Sequence, residues 1–297
     1  MIMSELVKRT LFGALYVGVL VASILVSHIM LGFVLLVMSI LGVREFMVLQ
    51  GAEKRDTVCA CIGAALLFLE VFIPGCITGR LAERSLIVSC LAFGLLLYIL
   101  YIFIVGLAEL RRKDISPVKH WGTLLVSQLW IALPFAIMYL TGYWNSKLLL
   151  MLFITVWVND TGAYCVGVLT SKLPGGNHKM SPRLSPKKSW EGLIGGILFS
   201  VAAGCVYAAI GWGDQYNLPS TAWTSYMTAG IFAVITALAA TIGDLAESAV
   251  KRSAGVKDSG RFLPGHGGVL DRFDSMLLVS LTAIVAGAIL FIAAIIS

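Results

Sequence analysis

Long apolar stretches constrain this sequence more than any other feature. A helix needs about 20 apolar residues to cross the hydrocarbon core of a bilayer. Nine stretches of about that length are present, at residues 10–27, 29–49, 57–79, 85–108, 121–141, 148–169, 190–212, 226–250 and 275–296. The apolar runs are continuous rather than alternating, which disfavours a membrane β-barrel. We therefore predict an all-α polytopic integral membrane protein with nine transmembrane helices.

The composition excludes several classes of protein. Of the 297 residues, 59% are hydrophobic and 13% are charged, whereas about a quarter of the residues in a soluble domain are charged. A soluble fold of this size could not bury so much apolar surface, so a water-soluble enzyme and a disordered chain are excluded. A soluble nucleic-acid-binding protein is excluded too, because a net charge of +6 in a membrane protein reflects topology and contact with lipid headgroups.

The distribution of basic residues supports nine spans and sets their direction. With the N-terminus placed in the cytoplasm, only Arg80, Arg84 and Lys147 lie on the opposite side, which leaves 19 of the 22 Lys and Arg residues on the cytoplasmic side. Cytoplasmic loops of membrane proteins carry such an excess. We predict that the N-terminus is inside and the C-terminus outside.

Ionisable groups are concentrated in the second half of the chain. We interpret residues 1–297 as one membrane domain, in which 1–145 are mainly apolar spans and 146–297 form a catalytic half. The sixth span contains Asn159 and Asp160, and the eighth contains Asp244 and Glu247. A carboxylate inside a membrane helix usually faces a partner or a water-filled cavity, so these spans are predicted to carry the chemistry.

The eighth span ends in a polar helix face. Asp244, Glu247, Ser248 and Lys251 recur at helical spacings and therefore share one face. Glu247 and Lys251 are also spaced for an internal ion pair that only fixes helix packing, and this alternative stays open. The neighbouring Gly243 indicates the close approach of another group.

A stretch of charges and glycines follows at the membrane edge. Asp271 and Asp274 lie three residues apart at the start of the last span, and their oxygens suit Mg²⁺, which takes few protein ligands. The simpler alternative is a charged turn with a helix cap at Asp271. Backbone N–H groups of glycines such as Gly267 and Gly268 can approach a ligand closely. Five basic side chains could neutralise phosphate, namely Lys251, Arg252, Lys257, Arg261 and Arg272.

Two further elements are ambiguous when read alone. Lys187 and Lys188 could be ordinary positive-inside residues, but their place on the same side as the acidic clusters favours contact with phosphate or nucleotide. His266 could bind a metal, donate to a phosphate, act as an acid or base, or make a structural hydrogen bond. The sequence has no Walker A motif, no GxGxxG after a strand and no GxSxG.

Four motifs together resemble those of the phosphatidate cytidylyltransferases, the CDP-diacylglycerol synthases. The longest is SAVKRSAGVKDSGRFLPGHGGVLDRFD at Ser248–Asp274. The others are DTGAY at Asp160–Tyr164, SPKKSWEG at Ser185–Gly192 and GDLAES at Gly243–Ser248. The link Leu169–Leu184 is longer than is usual in that family.

The resemblance implies a reaction and a set of residue roles. CTP and phosphatidate would give CDP-diacylglycerol and diphosphate with Mg²⁺, at an active site that faces the cytoplasm from a bacterial inner membrane. Whether a monovalent cation joins the Mg²⁺ is left open, and a homodimer is implied by the resemblance alone. The expected catalytic residues are Asp244, Asp271, Lys251, Arg252 and His266. The expected metal ligands are Asp244, Asp271, Asp274 and Asp160. The expected substrate-binding residues are Lys187, Lys188, Ser185, Ser248, Lys257, Arg272, Gly267 and Gly268.

Two other functions use similar features. An ion-coupled transporter also has intramembrane carboxylates, but it predicts inverted repeats that the sequence does not show and leaves the charged loop unexplained. A CTP-dependent polyprenol kinase is chemically closer to a cytidylyltransferase, because it also uses CTP and a lipid acceptor. It differs in transferring the γ-phosphate of CTP instead of the cytidylyl group.

Overall fold

The structure is a computed structural model that describes residues 5–77, 84–110, 116–211, 226–260, 262 and 267–296. Its helices are α1 (Glu5–Val26), α2 (His28–Leu49), α3 (Lys54–Ile77), α4 (Arg84–Glu109), α5 (Pro117–Ser127), α6 (Leu133–Trp144), α7 (Ser146–Thr170), α8 (Trp190–Ala209), α9 (Tyr226–Ser253) and α10 (Leu270–Ile296). A π-helical turn, Gln128–Ala132, joins α5 to α6. Two short strands, β1 (Lys179–Ser181) and β2 (Ser185–Ser189), form an antiparallel hairpin.

The prediction of an all-α polytopic membrane protein is confirmed in its helical class and in its several apolar helices. A helix lies over each of the nine predicted stretches, and seven helices of the described residues are long and apolar enough to cross a membrane. These seven are α2, α3, α4, the continuous α5–α6 segment, α7, α8 and α9. The number of nine spans and the direction of the termini stay predictions. The hairpin accounts for part of the unusually long link between the sixth and seventh predicted spans.

The chain divides into two compact units. The first unit comprises Met1–Ser146 together with Ala254–Phe273, and the second comprises Lys147–Ser253 together with Asp274–Ser297. The glycine-rich loop, residues 254–269, therefore belongs to the same unit as the N-terminal helices. The proposed division into an apolar and a catalytic half stays a prediction.

Aromatic side chains fill the core of the first unit. Phe68, Phe72 and Tyr139 bring α3 and α6 together, with ring centroids 5.3 to 6.2 Å apart. Phe68 and Tyr139 have no exposed surface, and edge-to-face contacts of this kind add to the packing energy. The π-helical turn ends two residues before Pro134, which has no backbone N–H and so cannot make the regular α-helical hydrogen bond there.

Small residues allow α8 and α9 to pack closely in the second unit. Gly204 of α8 lies against Ala229 and Ala233 of α9. Membrane helices commonly associate through such small residues, because lipid provides no hydrophobic drive and close van der Waals contact must replace it. About two turns earlier in α8, Gly196 lies against Asn159 of α7 and thus admits a polar residue into the packed region.

A pair of glycine substitutions tests this packing. Alanine at 204 would place its Cβ 2.9 Å from the carbonyl oxygen of Ala229, whereas alanine at 230 would meet only Val201 at 3.9 Å. Both changes gain about 1 kcal/mol of helix propensity, but overpacking offsets it by about 1–3 kcal/mol at 204 alone. We expect Gly204→Ala to unfold at a lower temperature in detergent than Gly230→Ala. Equal midpoints would contradict the close contact.

Candidate active site

The hairpin β1–β2 is fastened to the start of α8. The Ser189 hydroxyl accepts a hydrogen bond from the backbone N–H of Gly192 at 3.1 Å, which caps the helix. The backbone N–H of Trp190 donates to the carbonyl of His178 at 3.0 Å. The strand that carries Lys187 and Lys188 therefore runs directly into the first turn of α8.

Polar side chains also brace this open end of the hairpin, where the start of β1 lies beside the end of β2. The backbone N–H of His178 lies 3.1 and 3.2 Å from the two carboxylate oxygens of Glu191, and its ring Nδ1 lies 2.6 Å from Oε1. Asn177 donates from Nδ2 to the carbonyl of Gly167 in α7 at 2.7 Å. These contacts connect the hairpin to both α7 and α8.

An ion pair joins the hairpin to α9. The Nζ atom of Lys188 lies 2.7 Å from Oδ2 of Asp244 and donates to the carbonyl of Thr241 at 3.3 Å. The hydroxyl of Ser248 donates to Oδ1 of Asp244 at 3.3 Å. The side chains of Lys188 and Asp244 are 22% and 30% exposed, so the pair is accessible to a ligand from the cavity beside it.

That cavity brings four of the predicted site residues together. It has a volume of about 230 Å³ and is lined by Asp160, Lys187, Lys188 and Asp244, among other residues. The side chain of Asn159 donates to Asp160 at 3.4 Å. Two carboxylates and two ammonium groups thus face one small partly polar space, which is large enough for a phosphate group and water.

A further carboxylate lies near this cluster. The carboxylate of Asp274 in α10 interacts electrostatically with those of Asp244, Glu247 and Asp160. The close approach that the sequence predicts at Gly243 is made by the backbone of α10, because a Cβ at Gly243 would lie 2.8 Å from the carbonyl oxygen of Asp274. Acidic side chains from α7, α9 and α10 are therefore gathered in the second unit.

The alternative left open for Glu247 is observed. Glu247 forms an ion pair with Lys251 one turn further along α9. The two side chains are 2% and 12% exposed, so the ammonium of Lys251 compensates a buried carboxylate. This pair gives Lys251 a structural role, and its expected role towards phosphate stays a prediction.

In the first unit, Asp271 holds the glycine-rich loop. Its Oδ2 accepts hydrogen bonds from the backbone N–H of Ser259 at 2.8 Å, the hydroxyl of Ser259 at 3.0 Å and the backbone N–H of Gly268 at 2.8 Å. Gly267 has φ +82°, which glycine adopts without strain. The N–H of Gly268, expected to face a ligand, is directed to Asp271. Asp271 lies in the first turn of α10, but these three hydrogen bonds come from the loop and not from N–H groups of the helix, so they do not make it a helix cap.

The other predicted residues differ in exposure. Arg252, Lys257 and Arg272 are exposed, whereas Ser185 and Ser248 are half-buried. Each exposed cation is accessible to an anionic ligand. His266, predicted as a catalytic residue, and Arg261 lie outside the residues that the structure describes.

The sequence analysis missed Glu45, which binds the glycine-rich loop from α2. Both oxygens of this carboxylate accept hydrogen bonds from the loop and from the start of α10. Its position inside the predicted span 29–49 was the available signal, because a carboxylate at such a place requires a partner.

The sequence analysis also missed an acidic and histidine group in the first unit. Asp56, Glu109 and His120 each offer one ligand atom. These three atoms lie within 4.8 Å of one another, so the three residues could hold a metal ion. His120 Nδ1 lies 2.8 Å from Oδ2 of Asp56. These residues come from the ends of three different helices, and no spacing along the chain relates them.

Comparison with known proteins gives a consistent result. Residues 7–290 match the cytidylyltransferase family. A curated phosphatidate cytidylyltransferase of Staphylococcus epidermidis is 39% identical over 155 residues, which cover 52% of this chain and 54% of the relative. One from Staphylococcus aureus strain COL is 40% identical over the same shares of both chains. The chain thus aligns with about half the length of the curated relatives it matches.

Limited proteolysis tests how the hairpin is held. Glu191→Ala removes the acceptor for both the ring and the backbone N–H of His178, whereas His178→Ala leaves the backbone bond in place. Because the ring is 85% exposed, its own contact contributes little. We expect trypsin to cleave after Lys187 or Lys188 several-fold faster in Glu191→Ala than in His178→Ala or the wild type. Equal rates in all three proteins would show that Glu191 does not hold the hairpin.

Proposed function

This chain belongs to the cytidylyltransferase family, and on that premise we propose that it is a phosphatidate cytidylyltransferase. It would convert CTP and phosphatidate into CDP-diacylglycerol and diphosphate during phospholipid synthesis. The observation that carries the proposal is the cavity at which Asp160, Asp244, Lys187 and Lys188 meet in a unit built from apolar helices. The names of the staphylococcal relatives agree with it.

The chemistry of the reaction explains why the site needs cations. A phosphate oxygen of phosphatidate forms a bond to the α-phosphorus of CTP, and the bond from that phosphorus to the oxygen bridging to the β-phosphate breaks. The electron pair of the broken bond leaves with diphosphate. The nucleophile is already an anion, so the main obstacle is the repulsion between two polyanions, and catalysis rests on positioning and on cations.

Lysine and arginine side chains would offset that repulsion. Lys187 and Lys188 line the cavity, and an ammonium group binds phosphate as a compact charge. The exposed Arg252, Lys257 and Arg272 are further proposed phosphate-binding residues. Ser185 and Ser248 are proposed as further substrate-binding residues through their hydroxyl groups, while the role of His266 stays an expectation.

The acidic residues present fit a divalent metal ion. Asp160, Asp244 and Asp274 offer oxygen ligands only, which is the donor set that Mg²⁺ prefers, and their mutual repulsion favours a cation between them. We propose these residues as metal ligands together with Asp271, whose Oδ2 also holds the loop. A bound Mg²⁺ would neutralise charge on the transferring phosphate. Asp160 and Asp244 would bind and orient it from the cavity.

The membrane setting suits a lipid substrate. We propose nine spans with the N-terminus inside, so that the hairpin and the glycine-rich loop face the cytoplasm. Phosphatidate would then enter laterally from the bilayer, whereas CTP and diphosphate would exchange with the cytoplasm. The protein would act in a bacterial inner membrane, and a homodimer is the proposed assembly.

Labelled CTP separates the proposed activity from its rivals. The purified protein is incubated with phosphatidate or a polyprenol, Mg²⁺, and CTP labelled at the α- or the γ-phosphate. We expect label in the lipid fraction only from the α-position and only with phosphatidate. Label from the γ-position with a polyprenol would establish the kinase instead, and no lipid label from either position would refute both enzymes.

Neutral carboxylate variants test the metal assignment. We expect Asp244→Asn and Asp271→Asn each to lower cytidylyl transfer by at least about 100-fold and to raise the Mg²⁺ concentration that gives half-maximal activity. Glu53→Gln, at an exposed acid in the turn before α3, is the matched control and should retain wild-type values. Near-normal Mg²⁺-dependent transfer in either aspartate variant would remove that residue from the metal site.

A further inference from the structure

Glu45 anchors the glycine-rich loop to α2 through three hydrogen bonds. Its Oε1 accepts from the backbone N–H of Val269 at 2.9 Å. Its Oε2 accepts from the backbone N–H of Leu270 at 3.0 Å and from the hydroxyl of Ser259 at 2.9 Å. A single side chain in an N-terminal helix thus binds two separate parts of the longest motif.

The two backbone contacts lie at the beginning of α10. The first N–H groups of a helix have no partner within the helix, and a carboxylate there also interacts favourably with the helix dipole. Val269 and Leu270 are 1% and 3% exposed, so water cannot readily replace the carboxylate. Removing it would leave buried N–H donors without an acceptor, which is unfavourable.

Ser259 couples Glu45 to Asp271. The hydroxyl of Ser259 lies 2.9 Å from Oε2 of Glu45 and 3.0 Å from Oδ2 of Asp271. A hydroxyl has one proton, so it donates to one of the two carboxylates at a time. A displacement of Glu45 therefore changes the hydrogen bonding of Asp271 directly.

Two glycines make room for this arrangement. A Cβ at Gly268 would collide with the Glu45 carboxylate and the Ser259 hydroxyl, and a Cβ at Gly260 would collide with the Glu45 carboxylate. Both glycines lie in the motif Ser248–Asp274. Their positions fit a loop that packs closely around a carboxylate from another helix.

We propose that Glu45 is a positioning residue for the transfer reaction. It fixes the glycine-rich loop at the start of α10, so that Asp271 is held in the orientation that its role requires. The inference rests on the proposed function and on the proposed role of Asp271. It gives the apolar N-terminal half an indirect part in catalysis, because the anchoring group lies on α2.

The decisive variant is Glu45→Gln, which keeps the shape of the side chain. One of its two terminal groups becomes an NH₂, which cannot accept the hydrogen bond of Val269 or of Leu270. Partners that orient a metal ligand typically affect activity or metal affinity by about 10- to 100-fold. We expect kcat to fall by about that factor and half-maximal activity to need more Mg²⁺, while Glu53→Gln behaves as the wild type.

Two readouts separate positioning from general stabilisation. Trypsin should cleave after the exposed Lys257 faster in Glu45→Gln than in the wild type, because the loop is released. The requirement for Mg²⁺ should rise as well, which the loss of one buried hydrogen bond would not produce if it only lowered the thermal midpoint in detergent. Glu45→Asp, which keeps the charge and both acceptor oxygens, should recover part of the lost kcat. A lowered thermal midpoint with unchanged Mg²⁺ dependence would overturn the inference.

Ser259→Ala provides a second test if Glu45→Gln does not fold. It removes only the shared hydroxyl, and we expect a smaller change of kcat and Mg²⁺ dependence in the same direction. Normal kinetics in whichever variant folds would overturn the positioning role. Failure of the proposed function is distinguished by the wild-type protein, which would then transfer no label from the α-phosphate of CTP.

Discussion

The electrostatic cost of placing charges near lipid governs this protein. A carboxylate taken out of water must be compensated by a cation, by hydrogen-bond donors or by a hydrated cavity. Three of the acidic groups meet that condition in different ways. Glu247 pairs with Lys251, Asp244 pairs with Lys188, and Glu45 accepts hydrogen bonds from backbone N–H groups and a hydroxyl. These charged side chains therefore hold segments together through ion pairs and hydrogen bonds.

The same physical requirement produces two different kinds of arrangement. In the second unit, acidic and lysine side chains face a cavity. Lys188 is 22% exposed and Asp244 is 30% exposed, so such groups can exchange partners with a ligand. In the first unit, Glu45 and Asp271 bind the backbone of the glycine-rich loop and fix its shape. Partly exposed charges thus stay able to change partners, whereas carboxylates bound to backbone donors act as fixed supports within their own unit.

Much of the architecture could be read from the chain because membrane helices are encoded locally. The length of each apolar run and the polarity of the segments between them place the helices without knowledge of any long-range contact. The pair Glu247 and Lys251 was also recognisable, since its spacing lies within one helix. Glu45 escaped notice because its partners are more than 200 residues away along the chain, and Asp56, Glu109 and His120 are likewise related only by packing.

The sequence by itself determined the helical membrane architecture, the motifs and the types of residue available for phosphate and metal chemistry. These properties depend on local hydrophobicity and on chemical identity. Only the tertiary structure decided that Lys188 pairs with Asp244, that one oxygen of Asp271 accepts hydrogen bonds from the glycine-rich loop, and that Glu45 anchors this loop. Those contacts depend on how helices distant in sequence pack together, which no local pattern specifies.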